Sequence, residues 1–255
     1  MKIGRMETFY VPPRWLFVRV EADEGAVGWG EASLEGHAEA VDGAFEALRD
    51  RFLGHDPFRI EDIWQVAYRG GFYRGGPVLM SALAGLEQAL WDLKGKVLGL
   101  PAWDMLGGKV RDRVRAYAWI GGDRPHEIGE AARARREQGF SAVKMNATAE
   151  LDWIGTPRLF DEVIDRVPAA QAEGMDVGLD FHGRAHRRMA KQLAKVLEPL
   201  GLLFIEEPLL SENPEGLAQI AQLTSTPIAL GERVFTRWDF KPFFESGAVD
   251  ILPPH

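Results

Sequence analysis

Cysteine is absent from all 255 residues, which excludes disulfides, a catalytic thiolate and zinc held by sulfur. Positive charge is the scarcer sign. With 30 Lys and Arg against 38 Asp and Glu, the net charge is −8, and no basic block interrupts it, which argues against a nucleic-acid partner. Long apolar runs are missing too: nothing approaches the ~18 uncharged residues that a membrane span needs. The N-terminal stretch Met1-Lys2-Ile3-Gly4-Arg5-Met6-Glu7 has no apolar core of the signal-peptide kind, so a cytoplasmic location is expected.

What is present is the mixture of a water-soluble globular chain, 46% apolar and 27% charged. Its length suits one barrel domain, or a small domain followed by an incomplete larger one. The most informative stretch runs from Gly178 to Glu232. Three short apolar runs there each end in a carboxylate: Val177-Gly178-Leu179-Asp180, Leu203-Phe204-Ile205-Glu206 and Ile228-Ala229-Leu230-Gly231-Glu232. The same interval, 26 residues, separates Asp180 from Glu206 and Glu206 from Glu232. Apolar runs separated by helix-length segments read as parallel strands in βα units, which places the carboxylates at the C-terminal ends of neighbouring strands. In a (β/α) barrel that end carries the chemistry.

Three acids converging on an apolar-walled mouth repel one another unless a cation joins them. Hard oxygen donors favour Mg²⁺. Helix capping by a solvated strand-end acid explains any one of the three, but not the repetition.

Before that stretch, Lys2–Tyr10 and Trp15–Glu21 read as strands, and Glu24–Glu31 as a hairpin into a third. Helices are expected over His37–Phe52, over Pro57–Tyr68 with Asp56 as its cap, and over Leu79–Val97 with Leu79, Leu83, Leu86, Leu90, Leu93 and Val97 on one face. Strands first and helices after make residues 1–112 an α+β module. The loop Gly70-Gly71-Phe72-Tyr73-Arg74-Gly75-Gly76-Pro77 reads as a lid or substrate contact, with a plain connector as the alternative.

From residue 113 to residue 255 the pattern is βα. Strands are expected over Arg115–Ile120 and Ser141–Asn146, then in the three runs ending at Asp180, Glu206 and Glu232, and a sixth over Ala248–Leu252. Helices are expected over Pro125–Gln138 and Pro157–Val167. The expected fold class is therefore α/β: an α+β module followed by an incomplete (β/α) TIM-type barrel, with about six of the eight strands that closure requires. Uncovered strand edges would favour association, a homo-oligomer among the outcomes.

Several residues could carry chemistry. His182 lies two residues after Asp180, so strand alternation would turn both into the mouth, where an imidazole can transfer protons near neutral pH. Lys144 and Asn146 repeat that spacing on the strand before, and the lysine would offset a substrate carboxylate. Glu207 should point away toward the helices, which leaves Glu206 as the ligand, and Arg233 would pair with a neighbouring carboxylate. His37, His55, His126 and His186 read as surface residues.

The chain resembles the enolase superfamily, mandelate racemase branch. The likeness rests on Pro12-Pro13-Arg14-Trp15, Gly28-Trp29-Gly30-Glu31, Gly71-Phe72-Tyr73-Arg74-Gly75-Gly76-Pro77, Gln88-Ala89-Leu90-Trp91-Asp92 and Gly121-Gly122-Asp123-Arg124-Pro125. It continues through Gly178-Leu179-Asp180-Phe181-His182-Gly183-Arg184, Phe204-Ile205-Glu206-Glu207-Pro208 and Gly231-Glu232-Arg233. The resemblance implies Mg²⁺ bound by Asp180, Glu206 and Glu232, with His182 as the general acid for a departing 3-hydroxyl. The reaction it implies converts a sugar acid such as galactonate to a 2-keto-3-deoxy acid. It also implies that the first module is a capping domain whose loops choose the substrate, with Arg14, Tyr73 and Arg74 as contacts beside Lys144 and Asn146.

In the resembled family the base is a second histidine on a later strand, beyond the position of His255. Pro253-Pro254-His255 stands where the family reads Gln-Pro-Asp, so His255 is not assigned that role. The chain is thus expected to be the N-terminal portion of such a protein. Racemisation on the same scaffold, and a fragment that only binds metal, are the alternatives.

Overall fold

A computed structural model describes residues 1–122, 124–148 and 158–252. Asp123, Pro157 and the Pro253-Pro254-His255 terminus, all used in the sequence reading, lie outside the described residues. The chain divides into two compact units, Met1–Asp112 and Arg113–His255.

In the first unit, β1 (Ile3–Val11), β2 (Trp15–Ala22) and β3 (Val27–Glu31) form an antiparallel sheet in that order. Strand β2 alternates as a half-buried strand must: Leu16, Val18, Val20 and Ala22 are buried and the residues between them are not. Helices α1 (Ala38–Phe52), α2 (Ile60–Arg69) and α3 (Pro77–Leu98) follow, with a short α4 (Ala102–Met105) after them.

Helix α3 opens with Pro77 at its first turn and stops at Gly99, which takes the left-handed cap conformation. It lies so close on β3 that a Cβ at Gly28 would fall 1.9 Å from the Ala89 carbonyl oxygen, and one at Gly30 would fall 2.1 Å from that of Gly85. The Gly28-Trp29-Gly30 pattern is therefore a packing requirement. Leu83, Leu86, Leu90 and Leu93 are buried as expected, but Leu79 and Val97, at the two ends of the helix, are exposed. The start of α2 also differs from expectation. Asp56 accepts a bond from the Phe58 amide at 2.9 Å in a separate turn, and the helix begins three residues beyond Pro57.

The second unit is a parallel five-stranded sheet in sequence order: β4 (Ala118–Trp119), β5 (Ala142–Asn146), β6 (Asp176–Asp180), β7 (Phe204–Glu206) and β8 (Ile228–Ala229). Helices α5 (Pro125–Glu137), α6 (Arg158–Gln171), α7 (Arg187–Leu197), α8 (Pro214–Ala221) and α9 (Arg237–Ser246) alternate with the strands. The strands are buried on both faces, as parallel strands flanked by helices are. Gly178 makes room for a neighbour: a Cβ there would lie 2.5 Å from the Phe204 ring.

At least three strands are shorter than their sequences suggested, β8 among them, which stops at Ala229 rather than Glu232. Of the first, only Ala118–Trp119 form the strand, with the Ile120 amide also donating to the Lys144 carbonyl, while Arg115 sends its side chain to Ser141 and Asp176. The expected sixth strand is represented by one parallel bridge, Ala229 to Ile251. Among the described residues no helix is long and apolar enough to cross a membrane.

Candidate active site

The ladder sets the site. Asn146, Asp180, Glu206 and Ala229 are consecutive register partners across β5, β6, β7 and β8, so Asp180 and Glu206 stand side by side at the C-terminal strand ends. Both are 1% exposed. Glu232 is not their register equivalent, despite the equal sequence interval. Strand β8 ends at Ala229, and the following turn carries Glu232 back to the same mouth.

Lys144, on β5, places its ammonium between the two buried acids. Nζ donates to Asp180 Oδ2 and to Glu206 Oε2, both at 2.8 Å. Burial alone would lower the lysine pKa, but the two hydrogen-bonded carboxylates outweigh it and push it up. Burial raises the Glu206 carboxyl, and Lys144 opposes that rise. The Tyr117 ring lies 5.7 Å from Nζ, a cation–π distance, and burial raises its phenol despite the nearby ammonium.

His182 reaches the mouth by a route other than strand alternation. Strand β6 ends at Asp180, and His182 occupies a turn with a left-handed φ of 50°. Its amide donates to Asp180 Oδ1 at 2.9 Å, and its Nδ1 lies 3.4 Å from the same oxygen. The imidazole is 28% exposed, open on one side to a reactant.

Glu207 overturns the expectation that it points away toward the helices. It too is left-handed, at φ 43°, and it is wholly buried. Arg233 Nε lies 3.1 Å from Glu207 Oε2 and 3.6 Å from Glu232 Oε1. The arginine thus pairs with neighbouring carboxylates, as its position suggested. The Glu207 contact is an ion pair without hydrogen-bond alignment, so neither carboxylate oxygen accepts a bond among the described residues. Burial, only partly countered by Arg233, pushes the Glu207 carboxyl up to about 7.

Asp180, His182 and Glu232 each present a ligand atom, all within 4.8 Å of one another. The two carboxylate oxygens suit a hard divalent cation, while the imidazole nitrogen is a softer donor; Glu206, the third expected ligand, lies beside Asp180 with its Oε2 bonded to Lys144 rather than in this group. Four acids in this mouth (Asp180, Glu206, Glu207 and Glu232) face two cations, Lys144 and Arg233, so acidic groups outnumber basic ones where a divalent ion would bind.

Beside the cluster, Trp119, Gly121, Asn146, Thr148, Arg166 and Arg184 border a cavity of about 230 Å³. The Asn146 Oδ1 and Thr148 Oγ1 atoms are buried without a hydrogen-bond partner among the described residues. Arg14, Tyr73 and Arg74 belong to the first unit. Arg14 pairs with Glu35 at 3.0 Å, while Tyr73 and Arg74 line a separate cavity of about 200 Å³ there, with Leu48, Ala67 and Leu83. His37, His55, His126 and His186 are exposed. The sequence reading missed Tyr117, Thr148 and Arg184, and missed the burial of Glu207. Pro208 was the available signal, because proline cannot continue the ladder and so marks the strand end at which Glu207 turns inward.

Comparison with known proteins decides the family. Residues 9–107 match the mandelate racemase/muconate lactonizing enzyme N-terminal domain, and residues 127–255 match the family described as enolase C-terminal domain-like. The chain belongs to the mandelate racemase/muconate lactonizing enzyme family of the enolase superfamily. Within that family it is 51% identical to D-galactonate dehydratases of Ralstonia pickettii and Ralstonia nicotianae, over 100% of its own length and 67% of theirs. Among solved structures, an enolase superfamily member from Salmonella Typhimurium superposes with a TM-score of 0.93 at 29% identity, covering 99% of this chain and 73% of that one. An enolase from Pantoea ananatis, solved with bound D-gluconate and magnesium, superposes at 0.88 with 31% identity, covering 100% of this chain and 71% of that one.

Proposed function

We propose that this site serves the Mg²⁺-dependent dehydration of a small sugar acid, D-galactonate or a similar aldonate, to a 2-keto-3-deoxy acid. The C2 proton passes to a base, which the resembled family carries on a later strand; the C3–oxygen bond breaks as the hydroxyl takes a proton from His182 and leaves as water, and the resulting enol becomes the ketone. The observation that carries the reading is the gathering of Asp180, His182 and Glu232 within 4.8 Å. The 51% identity to D-galactonate dehydratases supports the choice of substrate.

When bound by Asp180, Glu206 and Glu232, Mg²⁺ would supply the positive charge that lets negative charge build on the substrate carboxylate. His182 is the residue suited to give a proton to the departing 3-hydroxyl. Its ring is partly open to a reactant, and Asp180 Oδ1 lies 3.4 Å from Nδ1. Lys144 is unsuited to be a base, because two carboxylates hold its ammonium charged. Its role is to bind and space those acids. The unpartnered Asn146 oxygen is a ready acceptor for a substrate hydroxyl. Arg14, Tyr73 and Arg74 are proposed to choose the substrate from the first unit.

The test incubates the purified protein with D-galactonate and Mg²⁺ and measures 2-keto-3-deoxy acid. Product that requires Mg²⁺ and disappears in His182→Asn upholds the reading. Exchange of the C2 hydrogen with D₂O without loss of water would turn it toward racemisation. Neither product nor exchange, from folded protein shown to bind Mg²⁺, would reduce it to a metal-binding module.

A further inference from the structure

We infer that Arg233 is a positioning residue whose guanidinium, seated on Glu207, holds the strained turn that aims the His182 imidazole. The inference rests on the proposed role of His182 as a proton donor and extends it to residues that touch no reactant.

His182 and Glu207 are the only non-glycine residues with positive φ among the described ones, and they follow the ends of the neighbouring strands β6 and β7. Left-handed conformations of this kind persist only where the surroundings over-determine them, and they collect at functional sites. The restraints on the His182 turn can be traced atom by atom. Its amide is held by Asp180 Oδ1 at 2.9 Å. The next amide, Gly183, donates to the Glu207 carbonyl at 2.8 Å. The His182 carbonyl accepts from Arg233 Nη2, contributed by the turn after β8.

The same guanidinium turns Nε toward Glu207 Oε2 at 3.1 Å and Glu232 Oε1 at 3.6 Å. One planar fork therefore ties together the chain leaving three successive strands. It also packs over the turn itself, since a Cβ on Gly183 would lie 3.1 Å from Arg233 Nη1. A lysine could keep the charge beside Glu207, but it lacks the planar fork that turns Nε to the carboxylate while Nη2 donates to the carbonyl. Fork geometry, not charge alone, is what the site uses.

The experiment compares Arg233→Lys and Arg233→Met with the unaltered protein in two readouts. The first is the His182 ring signal in a histidine-labelled NMR spectrum, assigned by its disappearance in His182→Asn. It needs no turnover, so it decides this inference even if the proposed reaction fails. Both Arg233 variants should shift or broaden that signal, while those of His37, His55, His126 and His186 stay put. The second is the dehydration rate. Misaiming a proton donor by about an ångström costs up to ~10²-fold, so kcat should fall ~10–100-fold with KM within about threefold.

An unmoved His182 signal would overturn the inference. So would full activity in Arg233→Lys. If Arg233→Met fails to fold, Arg233→Lys carries the test, because it preserves the buried charge pair.

Discussion

The two units handle polar groups in opposite ways. Every buried charged or hydroxyl-bearing residue among the described ones, namely Thr148, Arg166, Asp180, Glu206, Glu207, Thr226 and Thr236, lies in the second unit. The first unit buries only apolar side chains and glycine, and its ion pairs are exposed, such as Arg14–Glu35 and Lys96–Asp92, or half-buried, such as Arg19–Glu7. Both strained left-handed side chains also fall in the second unit. Buried charge and backbone strain each cost stability, so their confinement to one set of strand ends separates the unit that packs from the unit that reacts. The comparison can be broken by substitutions that treat the units alike and yet give like results.

The largest effect is expected at Lys144. Replacing it with Met leaves Asp180 and Glu206, both 1% exposed, as neighbouring buried acids without their shared cation. Removing one partner of a buried ion pair typically costs ~3–5 kcal/mol. Urea unfolding in chelator should show a loss of that size, and adding Mg²⁺ should recover part of it. A loss below about 1 kcal/mol would mean that these acids are solvated, and the contrast between the units would fail.

Glu207 sharpens the comparison through pH. Its carboxyl titrates near 7 in the folded chain against an ordinary value near 4.5 unfolded. The folded state therefore holds a proton that the unfolded state has lost, and stability falls as pH rises through the interval between those values. At roughly 1.4 kcal/mol per pKa unit the fall amounts to about 3 kcal/mol. Thermal unfolding of the metal-free protein should show this decline, and Glu207→Gln should flatten it.

In the first unit the corresponding change is steric. Gly30→Ala drives a methyl to 2.1 Å from the Gly85 carbonyl oxygen, which α3 can relieve only by lifting off the sheet. Overpacking of this kind costs ~1–3 kcal/mol. The loss should be independent of pH and of Mg²⁺, the reverse of both changes in the second unit.

What the sequence made legible follows the same division. Alternation along β2, the leucines of α3 and the run of βα units were readable because periodicity and burial coincide there. Asp180 and Glu206 were readable because each ends a buried strand. Where strands stop, the period-2 rule stops with them. His182 was expected in the mouth because alternation should turn it there, yet a left-handed turn brings it to Asp180. For Glu207 the same rule gave the wrong side altogether. Equal sequence intervals likewise concealed that Glu232 follows a strand already ended at Ala229. The ammonium of Lys144 was expected to face a substrate carboxylate, and it stands between two of the chain's own acids. Only three-dimensional distances decide which anion a buried cation meets.

The smallest effect on stability, and the sharpest question about the first unit, belongs to Arg14. Its pair with Glu35, at 3.0 Å, leaves the two side chains 57% and 75% exposed. An exposed pair of this kind contributes below about 1 kcal/mol, so Arg14→Ala should leave the unfolding midpoint almost unchanged. If Arg14 contacts the substrate carboxylate or hydroxyls, as proposed, KM for D-galactonate should rise about tenfold with kcat unaltered, the sign of binding lost equally from ground and transition states. Steady-state rates across substrate concentration separate the outcomes. An unchanged KM would leave the first unit a packing domain at this position, and would shift the choice of substrate to Tyr73 and Arg74 or to the cavity beside Asn146. A lowered kcat would instead mean that a residue outside the acid cluster acts in the transition state, and the division between a packing unit and a reacting unit would no longer hold.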